Sequence, residues 1–249
     1  MQDCNIENIK HIVTKDGSST LYSNKYEQHF HSLEDGAIFE TLQKHIIPAL
    51  SYHKNKKELN ILDICFGLGY NTFTTVYYVL KNNLDIKLNI YSPELDKQLV
   101  ENLIEFEYPK EFESIKNIIK EVVTNGYYND DKFCIEICFG DARDYIKTLK
   151  NIDIVYQDAF SSDVNKELWT LEYFGTIKNI LSSDAIITTY SIATPIRLGM
   201  SENGLYIYER LLPNRRKSTL AFTKKQDIDG LVDMELKKQR NPKAKPLVD

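Results

Sequence analysis

From Leu59 onward, five short apolar runs alternate with amphipathic stretches, and few folds accommodate that rhythm. The runs are Leu59–Ile64, Ile86–Tyr91, Phe133–Cys138, Ile152–Tyr156 and Ala185–Tyr190. Helical periodicity lies between them, near Tyr70–Lys81, Asp96–Glu107, Glu111–Asn125, Ala142–Leu149 and Leu171–Leu181. Strand–helix alternation of this kind predicts an α/β fold with a mostly parallel, doubly wound sheet. The end of the pattern differs. Gly204–Leu212 and Ser218–Thr223 read as two strands joined by Pro213-Asn-Arg-Arg-Lys217, an antiparallel hairpin on the sheet edge.

The 249 residues suit one such domain with small additions. Residues 1–58 read as an N-terminal extension packing on the catalytic domain, 59–223 as that domain and 224–249 as a polar tail. Within the extension, Thr20–Ser32 is strand-like. Ala37–Leu50 has a helical period, with Ile38, Leu42, His45, Ile46 and Leu50 along one face. The tail contains Asn241-Pro-Lys-Ala-Lys-Pro246, which can only drape on the body or fray. No apolar run approaches the ~20 residues of a membrane span, and the first residues lack the basic and apolar parts of a signal peptide. The expectation is a cytoplasmic protein without a membrane partner. The cysteines, Cys4, Cys65, Cys134 and Cys138, form no CxxC pair and read as buried free thiols, with no metal site. Sixteen Tyr and eleven Phe are many for this length, and most are expected to fill core.

The strand Leu59–Ile64 runs into Cys65-Phe-Gly67-Leu-Gly69-Tyr-Asn-Thr72, which opens a helix. Glycines let a backbone turn sharply and approach a ligand, and a helix N-terminus offers free N–H groups. A GxG alone also fits a βα turn that binds nothing. Asp63, just before the loop, repels a pyrophosphate but suits a cofactor with a cationic amino-acid portion, which favours S-adenosylmethionine over a dinucleotide. Glu94 follows the second strand at the distance expected of an acid gripping a ribose diol. Asp141, at the third strand tip, can accept an adenine amino group. Each acid taken alone is more often a helix cap, but three in register at consecutive strand ends point to a ligand. At the fourth tip, in Gln157-Asp-Ala-Phe160-Ser-Ser-Asp163, Asp158 is the candidate to face a reacting sulfonium and an acceptor amine. Asp163 reads as a helix cap, with Trp169 packed beneath.

These residues also form a longer pattern. It comprises Tyr22-Ser23, His31-Ser32, Gly36, Glu40, Asp63–Thr72, Glu94, Gly140-Asp141, Gln157–Phe160, Glu167–Thr170 and Phe174. Thr188–Ser191, Arg197, Gly204 and Arg215-Arg216-Lys217 complete it. Over roughly residues 22–222 the chain resembles the methyltransferase part of the MnmC tRNA-modification family and its standalone relatives. The stretch 158–174 is the most specific portion, because many methyltransferases share the glycine loop. The resemblance implies a Rossmann-like class I methyltransferase fold. It implies methyl transfer from S-adenosylmethionine to the aminomethyl group of a wobble uridine in tRNA, yielding 5-methylaminomethyl-2-thiouridine. It places the cofactor at Gly67, Gly69, Glu94 and Asp141, makes Asp158 the catalytic carboxylate, and brings Tyr22, Ser23 and His31 to the substrate. Two departures stand out. No flavin oxidase segment follows Phe222, so no FAD is expected. Where relatives show Phe-Ala-Pro after the catalytic Asp, this chain has Ala159-Phe-Ser-Ser162, which makes Phe160 a substrate-contact candidate that bears on the acceptor's identity.

Two other readings stay open. A spermidine synthase-like aminopropyltransferase shares the sheet, and Ser161-Ser162-Asp163 fits it, although the first loop lacks its run of glycines. A non-catalytic binding module would keep the scaffold without the cofactor. Net charge is −5, which argues against indiscriminate nucleic-acid binding, but the sign is uneven. Residues 209–249 hold 11 Lys/Arg against 6 Asp/Glu, leaving 20 against 30 elsewhere. Arg215, Arg216 and Lys217 are the candidates to contact tRNA phosphates, or else form an ordinary basic turn.

Overall fold

A computed structural model describes residues 12–249. Cys4, with the rest of residues 1–11, lies outside the described residues. The extension begins with four two-residue strands, β1 (Ile12–Val13), β2 (Ser19–Thr20), β3 (Tyr22–Ser23) and β4 (Gln28–His29). β1 pairs with β2, and β3 with β4, both antiparallel. A continuous helical stretch follows: α1 (Ala37–Thr41), a π-helical turn (Leu42–Ile46) and α2 (Ile47–Tyr52). The remaining strands are β5 (Glu58–Ile64), β6 (Lys87–Glu94), β7 (Tyr127–Asn129), β8 (Phe133–Phe139), β9 (Ile152–Gln157), β10 (Leu181–Thr189), β11 (Tyr206–Leu211) and β12 (Lys217–Phe222). Between and after them come α3 (Tyr70–Lys81), α4 (Lys97–Asn102), α5 (Lys116–Asn125), α6 (Ala142–Ile146), α7 (Leu171–Ile180), α8 (Thr194–Glu202) and α9 (Met234–Arg240).

Strands β5 to β12 form one sheet in the order β11-β12-β10-β9-β5-β6-β8-β7. The five inner strands β8, β6, β5, β9 and β10 run parallel. β7 closes one edge antiparallel to β8, and the β11–β12 hairpin closes the other antiparallel to β10. The expected doubly wound sheet and edge hairpin are both present; β7 had no counterpart in the sequence reading. Successive side chains of a strand face opposite sides, and the parallel strands are apolar on both. Leu59, Ile61, Ile154, Tyr156 and Ile186 pack on one face against α3, α5 and the α1–α2 stretch. Leu62, Ile64, Val155 and Ile187 pack on the other against α6, α7 and α8.

Two local expectations change, and for the tail the draped alternative holds. Within β8 the buried residues are Phe133, Ile135 and Ile137, so Cys134 and Cys138 share the opposite face and are half-buried rather than buried. Asp163 is exposed in a turn and caps nothing; α7 is capped by Thr170, whose hydroxyl accepts from Tyr173 N at 3.2 Å. The tail does not fray. Met234 of α9 is buried, Leu171 N donates to Leu247 O, and Thr170 Oγ1 donates to Asp249.

Candidate active site

Chain order reverses between β5 and β9. The chain leaves β5 toward β6 and β8, then returns to β9 on β5's other side. Doubly wound sheets bind ligands at this switch point, beyond the C-terminal strand ends. There the structure has a cavity of about 1210 Å³. The loops after β5, β6, β8 and β9 all reach it, through Gly67, Glu94, Asp141 and Asp158. The N-terminal extension supplies the facing wall, including Tyr22, Ser23 and His31 from the resemblance. Phe160 lines the cavity too. Its ring stacks on Tyr26 at 4.7 Å and meets Phe30 edge-on at 5.1 Å.

The glycine loop is drawn toward β6 by one carboxylate. Glu94 Oε2 accepts from Gly67 N and Oε1 from Asp96 N, each at 2.8 Å, and burial raises its pKa. Gly69 does not line the cavity. It starts α3 at φ 74, and an added Cβ would sit 2.5 Å from the Phe73 ring, so glycine is required there by both backbone and packing. Cys65 holds a left-handed conformation as well, at φ 66. Asp141 reaches the cavity while capping α6, and Arg143 holds its carboxylate below the usual range.

Asp63 departs from expectation. It is fully buried, has no face on the cavity, and accepts from Thr72 Oγ1 at 2.8 Å and Asn71 Nδ2 at 3.2 Å. It ties the first turn of α3 to the end of β5, and burial pushes its pKa up to about 7. It reaches the site only through Asn71, whose Nδ2 also donates to Asp158 Oδ2 at 2.9 Å and whose Oδ1 accepts from Thr41 Oγ1 at 2.8 Å. Both amide hydrogens and the carbonyl of Asn71 are thus engaged.

Asp158 is placed at the centre. Burial alone would raise its pKa, but the His45 ring, the Asn71 amide and His31 outweigh that and hold it at about 2. His45 Nε2 lies 3.5 Å from Asp158 Oδ1. The loop behind is pinned: Tyr190 Oη donates to Ala159 O at 2.9 Å, Trp169 Nε1 to Phe160 O at 2.8 Å, and Gln28 Nε2 to Ser161 Oγ at 2.7 Å. His45 and Asn71 are site residues missed by sequence reasoning. His45 was counted as one apolar-face position of a helix, and Asn71 is one polar residue in a first turn.

Arg215, Arg216 and Lys217 lie outside the cavity. Arg216 pairs with Glu34 at 2.7 Å and Asp35 at 2.9 Å, and Lys217 with Glu209 at 2.7 Å. Arg215 is exposed, with no side-chain partner among the described residues.

The cavity fits a nucleotide-like cofactor bearing positive charge. Its carboxylates are Glu40, Glu94, Asp96, Asp141, Asp158 and Glu167, against two lysines, Lys25 and Lys44. Six acids facing two lysines disfavour a pyrophosphate and suit a sulfonium and an amine. At Gly67 an added Cβ would come 3.3 Å from Phe30, so the loop and the extension pack closely on this side.

Comparison with known proteins agrees. A family of S-adenosyl-L-methionine-dependent methyltransferases matches residues 107–224. The crystal structure of MNMC2 from Aquifex aeolicus superposes with a TM-score of 0.83 at 29% identity, covering 97% of this chain and 79% of that one. An uncharacterized protein of Methanocaldococcus jannaschii is 29% identical over 217 residues, 85% of this chain and 58% of its own. The tRNA 5-methylaminomethyl-2-thiouridine biosynthesis bifunctional protein MnmC of an Azoarcus species is 25% identical over 202 residues, 76% of this chain but 31% of its own. The chain therefore spans a little over half of the first of these curated relatives and about a third of the second.

Proposed function

From an MnmC-like, S-adenosylmethionine-dependent methyltransferase domain as the premise, we propose that the chain N-methylates an alkyl amine, the aminomethyl group of wobble 5-aminomethyl-2-thiouridine in tRNA. The observation that carries this reading is Asp158. An ionised carboxylate stands at the switch point, in a cavity whose other charges are mostly negative.

Gly67, Glu94 and Asp141 would hold the cofactor, which supplies a methyl group on a sulfonium. Asp63 supports them indirectly, by fixing the first turn of α3. Asp158 would accept a hydrogen bond from the amine and aim its lone pair. An alkyl amine like that of Lys has a pKa of ~10.4, so at pH 7 about one molecule in a few thousand is neutral. A carboxylate held at about 2 is a very poor acceptor for that proton. Asp158 therefore orients the amine and stabilises positive charge, and the proton leaves to water. Tyr22, Ser23 and His31 border the acceptor, and the aromatic wall of Tyr26, Phe30 and Phe160 suits a flat ring taken out of its stack. This reading places the work in a reducing, cytoplasmic setting.

The test uses purified protein, S-adenosylmethionine and tRNA carrying the aminomethyl nucleoside. Nucleoside mass spectrometry should show conversion to the methylaminomethyl form. Propyl transfer to putrescine from the decarboxylated cofactor, with no methylation of tRNA, would replace this reading by an aminopropyltransferase. Calorimetry showing no heat with S-adenosylmethionine or S-adenosylhomocysteine would replace it by a binding module.

A further inference from the structure

The helix that carries His45 is interrupted, and the cause is Pro48. Proline has no N–H, and inside a helix its ring crowds the carbonyl four residues earlier, here that of Lys44. The stretch absorbs the misfit in the π-turn Leu42–Ile46, where Ile47 N donates to Leu42 O rather than to Gln43 O. The Arg210 guanidinium takes the freed Gln43 carbonyl. Turns of this kind recur at functional sites. This one keeps His45 in line with Ala37, Thr41 and Ala49, at steps of four residues, all buried.

The ring is held at both nitrogens. His45 is 1% exposed, its Nδ1 lies 2.7 Å from Thr188 Oγ1 on β10, and its Nε2 faces Asp158 Oδ1 at 3.5 Å. A lone pair on Nε2 would point at an anion. With the hydrogen on Nε2 and Nδ1 accepting from Thr188, all three groups are satisfied.

We propose that His45 is a positioning residue that keeps Asp158 ionised and facing the acceptor amine across the working pH range. Only the activity arm of the test rests on the methyl-transfer reading. The titratable groups facing Asp158 are His45 from the π-turn, His31 after β4, Asp63 at the end of β5, Cys65 in the glycine loop and Tyr190 after β10. Of these Asp63, Cys65 and Tyr190 bring no positive charge, and burial lowers the pKa of His31. Burial works to protonate Asp158, and His45 is the first of the groups opposing it. Without His45 only the Asn71 amide and His31 remain to oppose burial, and the pKa of the carboxyl rises.

The decisive comparison is the activity ratio of His45→Phe to wild type across pH, which cancels the titration of the amine itself. A carboxyl whose pKa has risen into the assayed range makes that ratio fall as pH drops from 8 to 5.5, by up to about tenfold per pH unit below its midpoint. His45→Gln, which keeps an N–H donor, should restore a flat ratio. A ratio flat with pH for His45→Phe, or a Gln variant with the same fall, overturns the proposal. A second arm needs no substrate. The stability difference between wild-type and Asp158→Asn proteins should change with pH below about 4 when His45 is present and above about pH 4 in the His45→Phe background. The same window in both backgrounds overturns the proposal. If His45→Phe does not fold, Thr188→Val, which removes the partner of Nδ1, should shift both measurements in the same direction by less; no shift overturns it. If wild type methylates no tRNA at any pH, the reading of the preceding subsection falls, while the unfolding arm still decides the role of His45.

Discussion

The substitution Asp63→Asn should flatten a large part of the pH dependence of folding. The carboxyl is fully buried, and its pKa rises from 3.8 to about 7 on folding, chiefly through burial. Below about pH 4 both folded and unfolded chains hold the proton, and Asp63 contributes no pH dependence. As pH rises from 4 to 7 the unfolded chain releases the proton and the folded chain keeps it, so wild type loses stability. Above about pH 7 both are ionised and the loss is complete. A rise of about three pH units at 1.36 kcal/mol per unit amounts to about 4 kcal/mol. The amide introduced by Asp63→Asn cannot ionise, yet its oxygen can still accept from Thr72. Urea unfolding followed by the fluorescence of Trp169, the only tryptophan, gives the stability of both proteins at each pH. The wild-type minus variant difference should fall by about 4 kcal/mol between pH 4 and 7 and then level. A difference constant to within about 0.5 kcal/mol across that interval would show that the folded carboxyl titrates like an exposed one.

Three other outcomes follow from the site. Asp158→Asn should lower kcat for methylation on the order of 100-fold or more, with calorimetric affinity for S-adenosylhomocysteine within a few-fold; undiminished turnover would remove Asp158 from the chemistry. Gly69→Ala should cost about 3 kcal/mol, roughly 6–10 °C in Tm by calorimetry, because the new methyl meets Phe73 and Phe66 at a positive φ; an unchanged Tm would contradict that packing. Replacing Arg215, Arg216 and Lys217 together by Ala should weaken tRNA binding and reduce its salt dependence while sparing cofactor affinity, and an unchanged salt slope in a filter-binding series would confine these residues to the ion pairs seen here.

The sheet was legible because short apolar runs and their alternation with helical stretches are local properties of the sequence. Tyr70–Lys81 is helical over the residues its pattern indicates, and Glu94, Asp141 and Asp158 stand at strand ends facing one cavity. What was not legible depends on facing partners. Of the face read through Ile38, Leu42, His45, Ile46 and Leu50, the last three are buried, but Ile38 and Leu42 are only half-buried and Thr41 is buried, with a π-turn inside the stretch that the pattern did not indicate. Asp63 reads as a ligand group because strand-end acids often are, yet side chains alternate along β5 and Thr72 and Asn71 claim it. The charges of Arg216 and Lys217 looked free, but Arg216 pairs with Glu34 and Asp35, some 180 residues earlier in the chain, and Lys217 with Glu209 across the hairpin.

The bond from Arg210 to Gln43 has a mechanical meaning. Arg210 is on β11, in the same hairpin whose turn holds Arg215, Arg216 and Lys217, and burial lowers its pKa, so its charge sits in a poorly hydrated place. The carbonyl it grips is two residues before His45. The sheet-edge hairpin is thus fastened to the helix at its least regular turn, where one hydrogen bond of the ladder is already missing, and Gln43 is the point at which the edge of the sheet and the wall of the cavity are joined.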